Sequence, residues 1–223
     1  MLIEIPHVLG RTELETVRKM LAECQYVDGS ASAERHAGSV KHNDEVARDD
    51  AHLEALNDIV MGNLVRHPRY RAGALPRHVA APIYARYRPN QGYGTHIDNP
   101  LMGAGQPYRS DIAMTLFLSD PERYTGGELV IDAEFGERSV KLDAGDAVLY
   151  PASFTHRVNT VTAGERLVAV TWIQSLIRDL ECRRLLFEIS QTRELLRREK
   201  ASRDALDRID AVYANLMRRW AEL

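Results

Sequence analysis

The chain has 223 residues, 44% of them hydrophobic and 27% charged, with a formal net charge of −3. That is enough chain for one medium-sized core, or a core with an appendage, and the charge balance gives no global reason to expect a nucleic-acid partner. Two cysteines, Cys24 and Cys182, are too few for a disulfide framework or a zinc cluster, and read as reduced thiols in a cytoplasmic setting. The opening MLIEIPHVLG lacks the basic-then-apolar build of a signal peptide, and no apolar run approaches the ~20 residues of a membrane span, so neither secretion nor membrane insertion is expected.

Residues 1–76 read as a helical N-terminal part that packs on a β-barrel. TELETVRKMLAECQ (12–25) spaces Leu14, Val17, Met20 and Leu21 as a helix, with Thr12 and Glu15 in a capping-box pattern. DDAHLEALNDIVMGNLVRHP (49–68) repeats that spacing through Leu53, Leu56, Ile59, Val60, Leu64 and Val65, and Pro68 is expected to end it. Between them VDGSASAERHAGSVKHNDE (27–45) reads as a long polar loop, with Lys41 and Asn43 solvated in it.

Residues 77–175 change period. HVAAPIYARYR, DIAMTLFLSD, GELVID, RSVKLD, DAVLYP, THRVNTV and RLVAVTWIQ are short β-prone runs, separated by the turn signals RPNQG, DPERYTGG, EFGE, DAGD and TAGE. Short strands at such spacing without helices between them predict a double-stranded β-helix, or jelly roll, rather than a parallel α/β sheet. The expected fold is therefore mainly β with flanking helices. Residues 176–223 return to helical spacing, with one stripe through Leu185, Leu186, Ile189, Leu195 and Leu196 and another through Leu206, Ile209, Val212, Tyr213, Leu216 and Met217. Charges of both signs between the stripes read as a solvated face. The two helices can pack on their own barrel or on a second copy, and part of the stripe is expected to form a homo-oligomer interface.

His96 and Asp98 lie two apart in YRPNQGYGTHIDNP (87–100), where NQGYG reads as the turn that delivers a ligand strand. In an extended strand, residues i and i+2 point the same way. A non-haem iron centre needs two imidazoles and one carboxylate on one face of the metal. Of the eight histidines, only His156 follows the pair within the strand-rich zone. Alone, His-x-Asp is a common triplet, and a lone histidine on a strand is more often hydrogen-bonded and structural than a metal ligand. Arg166 lies ten residues beyond His156, and TAGE is expected to pair its strand with that of His156 and bring the guanidinium into the same cavity. A guanidinium grips a carboxylate through two charge-assisted bonds, so triad plus arginine suggests a dicarboxylate co-substrate. Taken alone, Arg166 also fits a surface cation on an edge strand.

Tyr87, the HID at 96–98, GGEL at 126–129, AGDAVLYPASFTHRV at 144–158, Arg166 and Trp172 together resemble the Fe(II)/2-oxoglutarate-dependent dioxygenases, in their prolyl-4-hydroxylase-like branch. The pattern looks most like the bacterial PKHD-type hydroxylases, a group associated with iron uptake, and QSLIRDLECRRLLFEIS looks like their C-terminal segment. The resemblance implies that His96, Asp98 and His156 bind Fe(II), that Arg166 binds the C5 carboxylate of 2-oxoglutarate, and that Tyr87 hydrogen-bonds the co-substrate. Many prolyl hydroxylases carry lysine where Arg166 stands. It further implies hydroxylation coupled to decarboxylation of 2-oxoglutarate to succinate, L-ascorbate as accessory reductant, and a small-molecule substrate, such as a siderophore or amino acid, or a peptidyl one. Segments 28–45 and 99–108 are expected to flank the mouth, and Trp172 to sit in the core. A non-catalytic cupin-like sensor of metal or a small acid is the rival reading. A zinc hydrolase fits less well, because no general base is evident beside the triad.

Overall fold

The computed structural model describes residues 1–32, 40–103, 105–133 and 136–222. Residues 33–39 and 104, parts of the two segments expected at the mouth, lie outside the described residues. Helix α1 (Arg11–Glu23) buries Leu14, Val17 and Leu21, as their spacing predicts. Its N-cap is Gly10 rather than Thr12. The expected capping box fails because Glu15 is engaged by Arg11 one turn back, Nε to Oε1 2.9 Å. Helix α2 (Leu53–Leu64) buries Leu56, Val60 and Leu64. Pro68 does not terminate it but opens α3 (Pro68–Ala74), occupying the first turn, where the missing N–H costs nothing and the fixed φ already suits a helix.

The strands are β1 (Ile3–Ile5), β2 (Tyr26–Asp28), β3 (Lys41–His42), β4 (Asp44–Val46), β5 (Pro76–Val79), β6 (Ile83–Tyr87), β7 (Gly92–His96), β8 (Leu101–Met102), β9 (Tyr108–Arg109), β10 (Ile112–Phe117), β11 (Tyr124–Thr125), β12 (Leu129–Ala133), β13 (Gly136–Val140), β14 (Ala147–Pro151), β15 (His156–Val158), β16 (Ala163–Gly164) and β17 (Arg166–Ser175). An eight-stranded sheet runs β1-β14-β10-β17-β6-β4-β2, with β5 also on β17, and a five-stranded sheet runs β13-β12-β15-β7-β3. Short antiparallel strands in two facing sheets are the architecture expected from the sequence.

Strand β10, IAMTLF, is buried throughout because both its faces are covered. Ile112, Met114 and Leu116 face the helices, in a cluster with Leu14, Val17, Leu56 and Val60. Ala113 and Phe117 point the other way, into the space between the sheets, with Leu129, Ile131 and Val158. The candidate site residues gather around that second space.

Three further expectations are corrected. The supposed loop 27–45 contributes β2, β3 and β4, which join both sheets. NQGYG is only half a turn: Gln91 N donates to Arg88 O at 2.9 Å, and the strand starts at Gly92. Its glycines serve close strand approach, since a Cβ on Gly92 would come 3.0 Å from Val158 O and one on Gly94 2.7 Å from Val40 Cβ. Finally, β17 pairs with β10, β6 and β5, whereas β15 pairs with β12 and β7. Arg166 thus stands on the opposite sheet from His156, because the chain after Val158 crosses through β16, which pairs with β11.

The tail forms α4 (Leu180–Arg198) and α5 (Arg203–Trp220). Asp179 caps α4 by accepting from Cys182 N at 2.8 Å, and Ser202 caps α5. Leu186 and Phe187 are buried, while α5 leans on α4 through Tyr213, Leu216 and Met217. Among the described residues no helix is long and apolar enough to cross a membrane.

Candidate active site

Strands β15 and β7 are antiparallel neighbours with His156 opposite His96, so their rings lie 4.2 Å apart between centroids. Asp98, two residues beyond His96, brings Oδ1 to 3.8 Å from His156 Nε2. One ligand atom from each of the three lies within 4.8 Å of the others.

The imidazoles are held in a defined orientation. Nδ1 of His96 is 2.8 Å from Gly94 O, and Nδ1 of His156 is 2.9 Å from Phe154 O. With Nδ1–H donating to a carbonyl, each Nε2 keeps its lone pair for a metal. Tyr93 stacks on His96 at 3.5 Å and Tyr150 meets His156 edge-on at 5.1 Å. Burial pushes the His96 imidazole down to about 4, and the neighbouring His156 and Lys41 push the same way. Burial also raises the Asp98 carboxyl, against the favourable pull of His156, Trp172 and Lys41. Asp98 Oδ2 has no hydrogen-bond partner among the described residues. Two imidazoles with Nε2 turned to one point and a buried carboxyl group without a hydrogen-bond partner on Oδ2 are the donor set a divalent metal satisfies.

Arg166 is 1% exposed and is the largest of the fully buried side chains. It pairs in register with Tyr87 across β17 and β6, and its guanidinium carbon lies 4.9 Å from the Tyr87 ring and 5.6 Å from that of Phe117. Its Nε and Nη1 have no partner among the described residues. Gly127 in GGEL, at φ +69°, makes room for it: a Cβ there would sit 3.0 Å from Arg166 Cδ. Tyr87 is buried beside it, and burial raises its hydroxyl to about 12 despite the opposing pull of Arg166.

One cavity of about 600 Å³ joins all five residues, His96, Asp98, His156, Arg166 and Tyr87. That volume suits a small ligand and leaves the walls mostly apolar. Trp172 packs on the apolar cluster between the sheets, yet it also lines the cavity. Its indole favours the charged form of Asp98 without forming a bond of ordinary geometry, so Nε1 remains unpartnered among the described residues. Lys41 and Asn43, read from sequence as solvated, are buried and line the same cavity. Sequence reasoning also passed over Glu45, Tyr93 and Tyr150. The alternation Lys41-x-Asn43-x-Glu45 was the one available signal.

Residues 82–174 match the 2OG-Fe(II) oxygenase superfamily, and residues 181–222 match the PKHD-type hydroxylase C-terminal domain. Over the full length of both chains, a PKHD-type hydroxylase of Thioalkalivibrio sulfidiphilus is 46% identical and one of Shewanella baltica 41%. The fold is similar to that of a Pseudomonas putida prolyl-4-hydroxylase, with a TM-score of 0.51 at 18% identity over 78% of this chain and 92% of that one. With both family segments matched and its relatives aligned end to end, the chain belongs to the PKHD-type hydroxylases, Fe(II)- and 2-oxoglutarate-dependent dioxygenases.

Proposed function

We propose that His96, Asp98 and His156 hold the Fe(II), and that Arg166 and Tyr87 hold 2-oxoglutarate, in the hydroxylation of a small-molecule or peptidyl substrate. The observation that carries the assignment is the meeting, in one cavity, of a cation-seeking triad and a buried guanidinium without a carboxylate. The iron, when bound, supplies the redox chemistry by which O₂ places one atom in succinate, with release of CO₂, and the other in the substrate. The chain supplies position. Gly94 O and Phe154 O fix the two imidazoles, Asp98 adds the negative charge, and Arg166 orients the far carboxylate through charge-assisted bonds. Phe117, Leu129 and Val158 keep the space between the sheets dry, which strengthens those contacts.

Iron-dependent succinate formation from 2-oxoglutarate by protein reconstituted without oxygen, then exposed to air, is the direct test. His96→Ala is expected to abolish it. Succinate formation that persists in this variant contradicts the ligand assignment, and wild-type protein that never consumes 2-oxoglutarate supports a sensor instead.

Ascorbate belongs to this reading as an accessory reductant that raises total turnovers. The division into 1–76, 77–175 and 176–223, and a cytoplasmic setting for the two free thiols, belong to it as well. So does self-association through the tail, which leaves Leu185, Leu195 and Val212 exposed. Glutamate at all three positions is expected to reduce the light-scattering mass to the 25.2 kDa of one chain; a wild-type protein already at that mass argues against it.

A further inference from the structure

VKHNDEV spaces Lys41, Asn43 and Glu45 two apart, and the extended chain through β3 and β4 turns that spacing into one inward face. All three are buried, whereas His42 between them is exposed. Strand β3 pairs with β7 of the five-stranded sheet and β4 with β6 of the eight-stranded sheet. This short stretch therefore spans the two sheets beside the strands that carry Tyr93, His96 and Tyr87. An inward face at such a place is ordinarily apolar.

Here the charges cancel within the wall. Lys41 Nζ donates to Glu45 Oε1 at 2.5 Å and to Ser32 Oγ at 2.6 Å, and lies 5.3 Å from the Tyr93 ring. Asn43 sits between the members of this pair and is 2% exposed. It packs against Gly29, where a Cβ would come 2.2 Å from Oδ1. Both Oδ1 and Nδ2 are buried without a hydrogen-bond partner among the described residues. Native interiors rarely leave a donor and an acceptor of one side chain both unmet. Ile97 and Leu101, which also line the cavity, are large apolar residues 54% and 64% exposed.

We propose that the Lys41–Asn43–Glu45 face is the recognition wall for the prime substrate and that it takes an uncharged amide. A carboxamide is complemented by a group offering one acceptor and one donor side by side, which an amide does. A self-neutralised ion pair gives no partner to an extra charge, and a ligand bearing one would disrupt the pair. The apolar rim suits a hydrophobic group attached to that amide. The proposal rests on the reading of the cavity as the iron and 2-oxoglutarate site.

The test is calorimetric titration of protein loaded with Fe(II) and 2-oxoglutarate in the absence of oxygen. The probes are N-acetyl-leucine N-methylamide for a peptide-type amide, caprolactam for a non-peptide amide, zwitterionic leucine and isovalerate. At least one amide is expected to bind tenfold or more tightly than either charged probe, and which amide binds identifies its source. Asn43→Leu, similar in shape, is expected to weaken that amide at least tenfold while the melting midpoint stays level or rises, because an unmet polar group has been replaced by an apolar one. A merely structural Asn43 gives the opposite result, a lower midpoint. Asn43→Ser provides a smaller replacement should leucine prevent folding.

The proposal is overturned if neither amide binds, if the charged probes bind as tightly, or if amide affinity survives both substitutions. It is also overturned if both variants unfold. Loaded protein that binds 2-oxoglutarate but no amide removes the recognition wall alone. Protein that fails to bind 2-oxoglutarate removes the parent reading and this one with it.

Discussion

Replacing Arg166 by methionine separates a residue kept for binding from one kept for stability. Its guanidinium is buried between Tyr87 and Phe117, and Nε and Nη1 lack partners among the described residues. A charge-assisted hydrogen bond contributes about 1.5–3 kcal/mol. Loss of the two that a bidentate grip on a carboxylate provides removes roughly 3–6 kcal/mol, or roughly 10²- to 10⁴-fold in 2-oxoglutarate affinity. The unliganded fold should respond in the other direction. An uncompensated buried charge is costly, and apolar replacement of buried ionic groups is commonly neutral or stabilising by about 1–4 kcal/mol. At this chain length 1 kcal/mol corresponds to roughly 2–4 °C in melting midpoint. The assay is anaerobic calorimetry of the metal-loaded protein with 2-oxoglutarate, together with melts in its presence and absence. Wild type gains about 2.7 kcal/mol at a hundredfold excess over Kd by mass action, and Arg166→Met gains almost none at that concentration. Arg166→Lys retains the charge without the planar fork and should fall between them. A methionine variant that binds 2-oxoglutarate within threefold of wild type, or that melts well below it when unliganded, refutes the reasoning.

The remaining predictions concern protonation and the brace behind the mouth. The His96 imidazole, lowered to about 4 against an ordinary 6.5, binds fewer protons than its unfolded counterpart between those values. Stability of the metal-free protein should therefore fall as pH drops from about 6.5 to 4, by about 3 kcal/mol from this group. Denaturant melts across that range, flattened in His96→Gln, check it. Arg109 grips Asp111 through Nε at 2.6 Å and reaches Glu222 through Nη1 at 3.2 Å, tying the hairpin of β8 and β9 to the chain's tail. The Asp111 side chain is 6% exposed and that of Glu222 47%. Arg109→Ala should accordingly cost about 2 kcal/mol and Glu222→Gln under about 1 kcal/mol in chemical denaturation, and the reverse order would discard the brace.

The strands of the jelly roll were legible because their period and turn signals are local. DIAMTLFLSD, GELVID and DAVLYP each became a strand near their expected positions. What a local period does not specify is which strand lies beside which. The TAGE turn suggested a hairpin between the strands of His156 and Arg166, whereas the chain crosses to the other sheet, so Arg166 reaches the cavity from the opposite wall. Lys41, Asn43 and Glu45 were misread for a different reason. Polar residues at every inward position look like a loop to any rule that expects apolar ones there, and only long-range pairing with β7 and β6 identifies them as strand. Pro68 shows a third kind of ambiguity, since the same residue that stops one helix is well suited to start the next.

The unmet polar atoms follow a pattern that ties these strands together. Outside the cavity, the buried side-chain atoms without hydrogen-bond partners among the described residues include Tyr70 Oη, His67 Nδ1 and Arg18 Nη2. Of these, Arg18 is compensated by Asp120 at 3.0 Å, and the other ring nitrogen of His67 is met by Pro6 O at 3.0 Å. On the cavity they belong to Asp98, Arg166, Trp172 and Asn43. One of these four is a carboxyl group whose charged form burial disfavours, one a guanidinium, one a donor aimed near that carboxyl, and one offers donor and acceptor together. Each such group costs about 1–3 kcal/mol, and more when charged. A fold stable by only about 5–15 kcal/mol does not tolerate several such costs in one place by chance. In the proposed reading, metal on Asp98, a carboxylate on Arg166 and an amide on Asn43 would offset three of these four costs, and the location of the strain would then report both where ligands bind and which chemistry each must bring.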